Sequence, residues 1–472
     1  MGELLALPVW GVALLGLFAA VGLTDRVVAP AVRGFMAMRR ERAIGSLNER
    51  LALPIAPFKL AGRRDLVAQL MLDPTVQSAV AAEARATGET VRAVERRAQR
   101  YAREIVPAFN AALYFRVGTR LARKLSTALY RVRVGASDIA ALQGIEPGAA
   151  VVFVINHRSN MDYVLVTYLA ARSSALSYAV GEWARAPGLA QLIRLMGGYF
   201  IRRGSGNQLY RRVLARYVHI ATASGVTQAV FPEGGLSRDG RLQPAKLGLL
   251  AYMVADFDPA GARDIAFVPV GLNYDRVLED RVLLAAATEA EPGKRPRFAF
   301  RLPVFLGFVG RTIGGRLIGR WYRNGYACVS FGKPVSLRQY MREQALDFRI
   351  MPEPVRNERI AGLAAVLMAE VGRAVPALPV SLVAAALLRA DKRSLSTLDL
   401  KLAVAALMVR LRETGGQVYV PRADEEYAVD VGMRMLELRH VVANNDGVVE
   451  IVAGQEELLG YYANALEHML GR

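Results

Sequence analysis

Four short apolar runs, each rich in β-branched residues, recur in the middle of this chain: AAVVFVIN at residues 149–156, TQAVFP around Val230, DIAFVPVGLNY around Val268 and YACVSFG around Val329. Continuous apolarity, as opposed to alternation, marks strands buried on both faces, and the segments between the runs have helical spacing and length. A chain patterned in this way is expected to fold as α/β, with a sheet inside and helices covering it.

On either side the pattern changes. Residues 64–131, as in VRAVERRAQRYAREIVPAFNAALYFRVGTRLARKL, place apolar residues three and four apart with arginines on the other face, which predicts two or three amphipathic helices. Beyond Pro334 strand signals fade, and stretches such as ERIAGLAAVLMAEVGRAV and TLDLKLAVAALMVRLRETGG predict a mostly helical C-terminal domain, the second ending at Gly415 and Gly416. The expected division is a membrane-spanning or anchoring helix at 1–25, a basic helical region at 26–135, an α/β catalytic domain at 136–336 and a helical domain at 337–472.

Residues 4–23 read LLALPVWGVALLGLFAAVGL, an uncharged stretch of about the ~20 residues a helix needs to cross the hydrocarbon core. Arg26, Arg33, Arg39, Arg40 and Arg42 follow it and only Glu3 precedes it, so the positive-inside rule places the rest of the chain in the cytoplasm. A cleaved signal peptide is the competing reading; it is disfavoured by the lack of basic residues before the apolar run. The single cysteine, Cys328, leaves no disulfide framework or thiolate metal cluster. No Walker-type phosphate loop, GxSxG elbow or paired CxxC occurs.

The net charge of +19 calls for an anionic partner: nucleic acid, anionic lipid or a phosphorylated substrate. Nucleic acid is disfavoured, because the cations are not interleaved with aromatic residues and no recognition helix is evident. The segment FLGFVGRTIGGRLIGRWYR, with Trp321, is the candidate lipid contact, a buried helix with a basic outer face being the alternative.

The chemistry-bearing residues cluster at the ends of the apolar runs. His157 stands where the first strand should end, and Asp162 follows five residues later at the start of the helix DYVLVTYLAA, close enough to orient the imidazole. An imidazole held at one nitrogen by a carboxylate can take a proton at the other, as a general base does. Read alone, such a pair is more often a helix cap beside a satisfied loop histidine. Three more segments weigh against that. GGYFIRR places Arg202 and Arg203 after a glycine turn, where paired guanidinium groups suit a phosphate. AVFPEGGLSRDGRLQPAKLG gathers Glu233, Gly234, Ser237, Arg238, Arg241 and Lys246 after another strand, so amides and cations could converge on one anion. In FVPVGLNYD, Pro269 is expected to interrupt a central strand ladder and shape a pocket wall.

Taken in order, NHRSNMDYVL, GGYFIRR, FPEGGLSRDGR and FVPVGLNYD resemble the four sequence blocks of the glycerolipid acyltransferases, and especially of the bacterial membrane-bound glycerol-3-phosphate acyltransferases. The likeness is close to verbatim in HRSNMDY and EGGLSRDGR, covers residues 151–274 and extends more loosely through PALPVSLVAAALL. Leu236, where the family often has an arginine, and Pro232 depart from it. The resemblance implies a mixed-sheet α/β acyltransferase domain in which His157 is the base and Asp162 its orienting partner. It also implies that Arg202 or Arg203, with Glu233, Gly234, Ser237 and Arg238, line the glycerol-phosphate site, and that Pro269 shapes that pocket or the acyl channel; Lys246, close behind on the residue reading alone, is counted among the expected substrate-binding residues.

The expected reaction moves a fatty acyl group from acyl-CoA or acyl carrier protein to the sn-1 hydroxyl of glycerol 3-phosphate at the cytoplasmic face of the cell membrane. It needs no metal and no cofactor beyond the thioester. Acceptance of 1-acylglycerol 3-phosphate or dihydroxyacetone phosphate, and a noncatalytic anion-binding role, are the alternatives. The donor, the chain length and homo-oligomer formation stay open.

Overall fold

The computed structural model describes residues 38–39, 42–135, 144–170, 174–181, 188–202, 206–288, 324–391 and 393–471. The expected span at 4–23, Arg203, and the stretch 305–323 with Trp321 lie outside the described residues. Among the described residues no helix is long and apolar enough to cross a membrane.

Among the described residues, four helices of ten residues or more run ahead of the sheet, not two or three: α1 (Arg63–Leu72), α2 (Pro74–Thr87), α3 (Val91–Ile105) and α4 (Thr119–Leu129). The extra break falls at Asp73, whose carboxylate accepts from the Thr75 amide at 2.9 Å and caps α2, while Pro74 cannot continue α1. In α3 the residues Val94, Ala98, Ala102 and Ile105 are fully buried, and Arg92, Arg96, Arg100 and Arg103 are exposed. That is the two-faced pattern the arginine spacing requires.

The apolar runs become strands of one eight-stranded sheet: β1 (Arg131–Val134), β2 (Ala150–Ile155), β3 (Ser177–Val180), β4 (Gly198–Phe200), β5 (Gln228–Val230), β6 (Ile265–Tyr274), β7 (Tyr326–Phe331) and β8 (Val335–Ser336). Their order is β1-β7-β6-β2-β5-β3-β4, with β8 also on β6. β2, β3, β4, β5 and β6 run parallel, whereas β7 is antiparallel to β6 and parallel to β1, so the sheet is mixed. Every residue of β2 and β6 is buried, because helices cover both faces. The intervening helices are α5 (Met161–Ala170), α6 (Leu189–Leu195), α7 (Gln208–Ala223), α8 (Gly248–Val254) and α9 (Asp280–Thr288).

Pro269 does not interrupt its strand. It pairs with Val154 of β2, and β6 continues through it for ten residues. On the other edge the partner changes here from β8, opposite Ala266 and Phe267, to β7, opposite residues from Val270 onward. A proline is tolerated because no ladder donor is demanded at that gap, and its carbonyl still accepts from Gly332 at 2.8 Å.

The C-terminal part comprises α10 (Leu337–Glu343), α11 (Glu353–Ala374), α12 (Pro379–Arg389), β9 (Ser394–Ser396), α13 (Thr397–Glu413), α14 (Glu425–Glu437), β10 (Val442–Asn445), β11 (Val448–Ile451) and α15 (Glu456–Ala463). It is mostly helical, yet β10, β11 and β9 form a second, three-stranded antiparallel sheet that the sequence reading missed. Residues 55–171 and 175–472 make one compact unit. Ile360, Leu363, Leu367 and Val371 of α11 share a core with Val152, Val154 and Phe267 of the central strands.

Candidate active site

Strand β2 ends at Ile155, and the side chain of Asn156 prolongs its ladder. Asn156 Nδ2 donates to the Leu272 carbonyl at 3.0 Å, and Leu272 N–H donates to Asn156 Oδ1 at 2.7 Å. This exchange ties the start of the loop that carries His157 to the last residues of β6. From there six consecutive amides are all taken. His157 N–H donates to Glu233 Oε1 at 2.8 Å; those of Arg158 and Ser159 donate to Asp162 Oδ2 at 2.7 and 3.0 Å. The Asn160 amide goes to Glu279 Oε1 at 3.2 Å, Met161 to the Ser159 hydroxyl at 3.1 Å, and Asp162 to the Ser159 carbonyl at 3.0 Å. Two carboxylates from distant parts of the chain, Glu233 and Glu279, thus join the segment's own Asp162 in satisfying a loop that has no regular ladder of its own.

His157 and Asp162 are 2% and 0% exposed, and His157 Nδ1 lies 2.8 Å from Asp162 Oδ2. The Asp162 carboxylate accepts from two amides, the imidazole and Tyr274 Oη, the last at 2.6 Å, which places the imidazole proton on Nδ1 and leaves Nε2 as an acceptor. The imidazole ring lies against Phe231, centroids 4.3 Å apart, and meets the edge of Tyr163 at 5.4 Å. These rings give the imidazole an apolar flank.

The glycine-rich loop after β5 is fastened to the same place. Ser237 N–H donates to the His157 carbonyl at 2.9 Å, and the Ser237 hydroxyl donates to the Arg241 carbonyl at 2.7 Å. Glu233 accepts from the amides of His157 and Gln243, the latter at 3.2 Å. Burial pushes its carboxyl up to about 8, opposed by those two hydrogen bonds and by the Arg158 charge. Lys246 Nζ donates to the Glu233 carbonyl at 2.7 Å and lies over Gly234, whose φ is +66°. Arg238 is half-buried in the same loop.

His157, Asp162, Glu233, Gly234, Ser237 and Lys246 therefore come together, while Arg202 does not join them. Its Nε and Nη2 bind Glu104 at 3.0 and 2.6 Å, and its guanidinium sits 5.2 Å from the rings of both Tyr101 and Tyr210. Arg241 is likewise occupied, by Asp239 at 3.1 Å and by Glu467. Pro269 lies within the sheet beside Gly332. Among the described residues no group of three or more His, Cys, Asp or Glu could hold a metal.

The sequence reading missed Tyr274, Glu279 and Arg158. Glu279 accepts from the Ser159 hydroxyl at 2.8 Å and from Asn160 Nδ2 at 3.1 Å. Beside it, Asp280 binds Arg439 at 2.6 Å and the Tyr462 hydroxyl, so residues of the C-terminal part brace the loop that carries Glu279. Arg158 is 3% exposed, donates from Nη1 to the Gly240 carbonyl at 2.8 Å and lies 5.2 Å over the Tyr461 ring. Its Nε and Nη2 have no partner among the described residues, and Arg158 lines a small cavity with Asn156, Glu233, Ser237, Ala465 and His468. Its signal was its place inside HRSNMDY; that of Tyr274 was a polar tip closing an apolar strand at the end where His157 lies.

Comparison with known proteins finds two family matches. Residues 137–273 match the acyltransferase family, and residues 318–471 match the glycerol-3-phosphate acyltransferase C-terminal region. A glycerol-3-phosphate acyltransferase of Pseudomonas putida (strain W619) is 30% identical over 430 residues, 87% of this chain and 49% of that one. The enzyme of the same name from Pseudomonas aeruginosa (strain LESB58) is 31% identical over 346 residues, 71% of this chain and 40% of that one. The chain spans about half the length of these curated relatives. Among solved structures, the 1-acyl-sn-glycerophosphate acyltransferase of Thermotoga maritima aligns over 53% of this chain and 80% of its own, with 19% identity and a TM-score of 0.29.

Proposed function

Because the chain is a member of the glycerolipid acyltransferase family, we propose that it transfers a fatty acyl group from an acyl thioester to the sn-1 hydroxyl of glycerol 3-phosphate. The observation that carries the reading is the buried His157–Asp162 pair, 2.8 Å apart at the end of β2, in a chain that also matches the C-terminal region of glycerol-3-phosphate acyltransferases.

In this reading His157 Nε2 takes the proton of the acceptor hydroxyl as its oxygen bonds to the thioester carbonyl carbon. The imidazolium is stabilised by Asp162 through Nδ1. The tetrahedral intermediate collapses with cleavage of the C–S bond, and the proton on Nε2 passes to the departing thiolate. The amides of residues 157–162 are all engaged, as are those of Gly234 and Ser237, so in this reading the oxyanion is met by an amide of residue 235, 236 or 238 or by a cation. Arg238 and Lys246 are the proposed phosphate ligands, with Gly234 allowing close backbone approach. Glu233 and Ser237 hold the shape of that site. Arg202 serves the phosphate only by giving up Glu104. The reaction as written takes no metal and no cofactor beyond acyl-CoA or acyl carrier protein. Residues 4–23 and the arginines after them support a location at the cytoplasmic face of the cell membrane, held in part by anionic lipids.

The test is transfer of labelled palmitate from palmitoyl-CoA to glycerol 3-phosphate by wild type and His157→Ala, with 1-acylglycerol 3-phosphate as a parallel acceptor. General-base catalysis supplies about 10²- to 10⁴-fold, so the variant should lose at least that much kcat. Transfer only to the lyso-lipid would move the chain to the next acylation, and a fully active His157→Ala would remove the mechanism.

A further inference from the structure

Tyr274 is the last residue of β6, fully buried, and its hydroxyl donates to Asp162 Oδ1 at 2.6 Å. The two oxygens of that carboxylate do different jobs. Oδ2 takes the imidazole and the amides of Arg158 and Ser159, whereas Oδ1 has the tyrosine as its partner among the described residues. A carboxylate turns about its Cβ–Cγ bond unless both oxygens are held, and here the second hold comes from a strand 112 residues away. Its delivery is a matter of register. β2 and β6 pair in parallel from Ala150 with Ile265 to Ile155 with Val270, and Asn156 carries the match on to Leu272. Tyr274, two residues beyond, therefore faces the same side as Leu272 at the height of the catalytic loop. Behind it the Tyr130 ring packs with centroids 5.2 Å apart, and the Tyr130 hydroxyl is fixed to the Arg276 carbonyl at 2.8 Å, which denies the tyrosine another rotamer.

We propose that Tyr274 is a positioning residue of the acyl-transfer site, fixing the plane of the Asp162 carboxylate so that Oδ2 stays in line with His157. The proposal rests on the reading of His157 as the base. It assigns the fourth sequence block a part in the chemistry through its tyrosine, not its proline.

Tyr274→Phe keeps the ring and removes only the hydroxyl. Loss of a hydrogen bond to a charged group is expected to lower kcat about tenfold or more, with the KM for glycerol 3-phosphate and palmitoyl-CoA unchanged. If the tyrosine acts through Asp162, adding Tyr274→Phe to Asp162→Ala should cost nothing further, whereas a residue that merely fills the core would add its effect in full. Wild-type kcat in Tyr274→Phe, or full additivity in the double variant, overturns the proposal. A crystal structure of Tyr274→Phe judges it without any turnover: an Asp162 carboxylate rotated off His157 is expected, and an unmoved pair overturns it. Failure of wild type to acylate glycerol 3-phosphate would count against the proposed function alone, since the structural arm reads the pair directly.

Discussion

At the scale of single residues, the candidate phosphate ligands differ in their present partners: Arg202 binds the Glu104 carboxylate, whereas Lys246 donates to the Glu233 carbonyl. Arg202 is neutralised by Glu104, so Arg202→Ala should leave the KM for glycerol 3-phosphate within about threefold, whereas Arg238→Ala and Lys246→Ala should each raise it about tenfold or more at nearly constant kcat. Steady-state kinetics across the three variants checks this, and a large KM effect confined to Arg202 would reverse the assignment. Gly240 illustrates a different constraint. Its φ is +84°, its carbonyl holds Arg158, and a Cβ there would fall 1.9 Å from the Tyr461 carbonyl oxygen. Gly240→Ala must push the loop off the C-terminal part, and we expect a loss of at least about 2 kcal/mol in a denaturant titration. The His157–Asp162 pair was legible in the sequence because it stands at a strand end and three further motif-bearing segments accompany it, the pair alone reading more often as a helix cap. Tyr274 and Glu279 were not, since their partners lie 112 and 119 residues away and only the sheet register brings them near.

At the scale of elements, the central strands were legible because burial on both faces leaves an unbroken apolar run, and α3 because its arginines repeat on one face. The small sheet was not, since β9, β10 and β11 are three or four residues long and half-exposed. A signal was nevertheless present: Asp446 and Gly447 join β10 to β11 with φ of 49° and 87°, the two positive values a two-residue type I′ turn demands. Gly447→Ala meets no neighbour within 4 Å, so its cost is conformational alone, about 1 kcal/mol, readable as a drop in denaturation midpoint with unchanged slope. Pro269 was misjudged for a physical reason as well: a ladder tolerates a missing donor where the neighbouring strand changes.

At the scale of the whole molecule, two buried carboxyls make stability depend on pH. Burial raises Glu233 to about 8 and Asp275 to about 7, the latter although it accepts from the amides of Tyr326 and Val380. In the unfolded chain both ionise near pH 4. The folded state therefore binds more protons between about pH 4 and 8, and the contribution of these groups is full below that window and lost as pH rises through it. Thermal melts should show the protein less stable at pH 8.5 than at pH 5.5, with the difference reduced in Glu233→Gln; a Tm rising with pH in both would refute the assignment. The net charge of +19 predicts sedimentation with anionic but not neutral vesicles, weakening from 0.05 to about 0.5 M salt as screening grows. Retention at high salt would point to apolar insertion as the dominant hold.

The loop that carries His157 also has a chronology. Its amides close on Glu233, 76 residues downstream, and on Glu279, 119 residues downstream, while Asp162 awaits Tyr274. A ribosome that has released the chain only as far as residue 230 has exposed the histidine and its carboxylate but none of the three groups that fix them. The loop therefore cannot take its folded form before residues 233–279 have been made, and we expect a product ending at residue 230 to lack acyl-transfer activity although it carries the whole HRSNMDY motif.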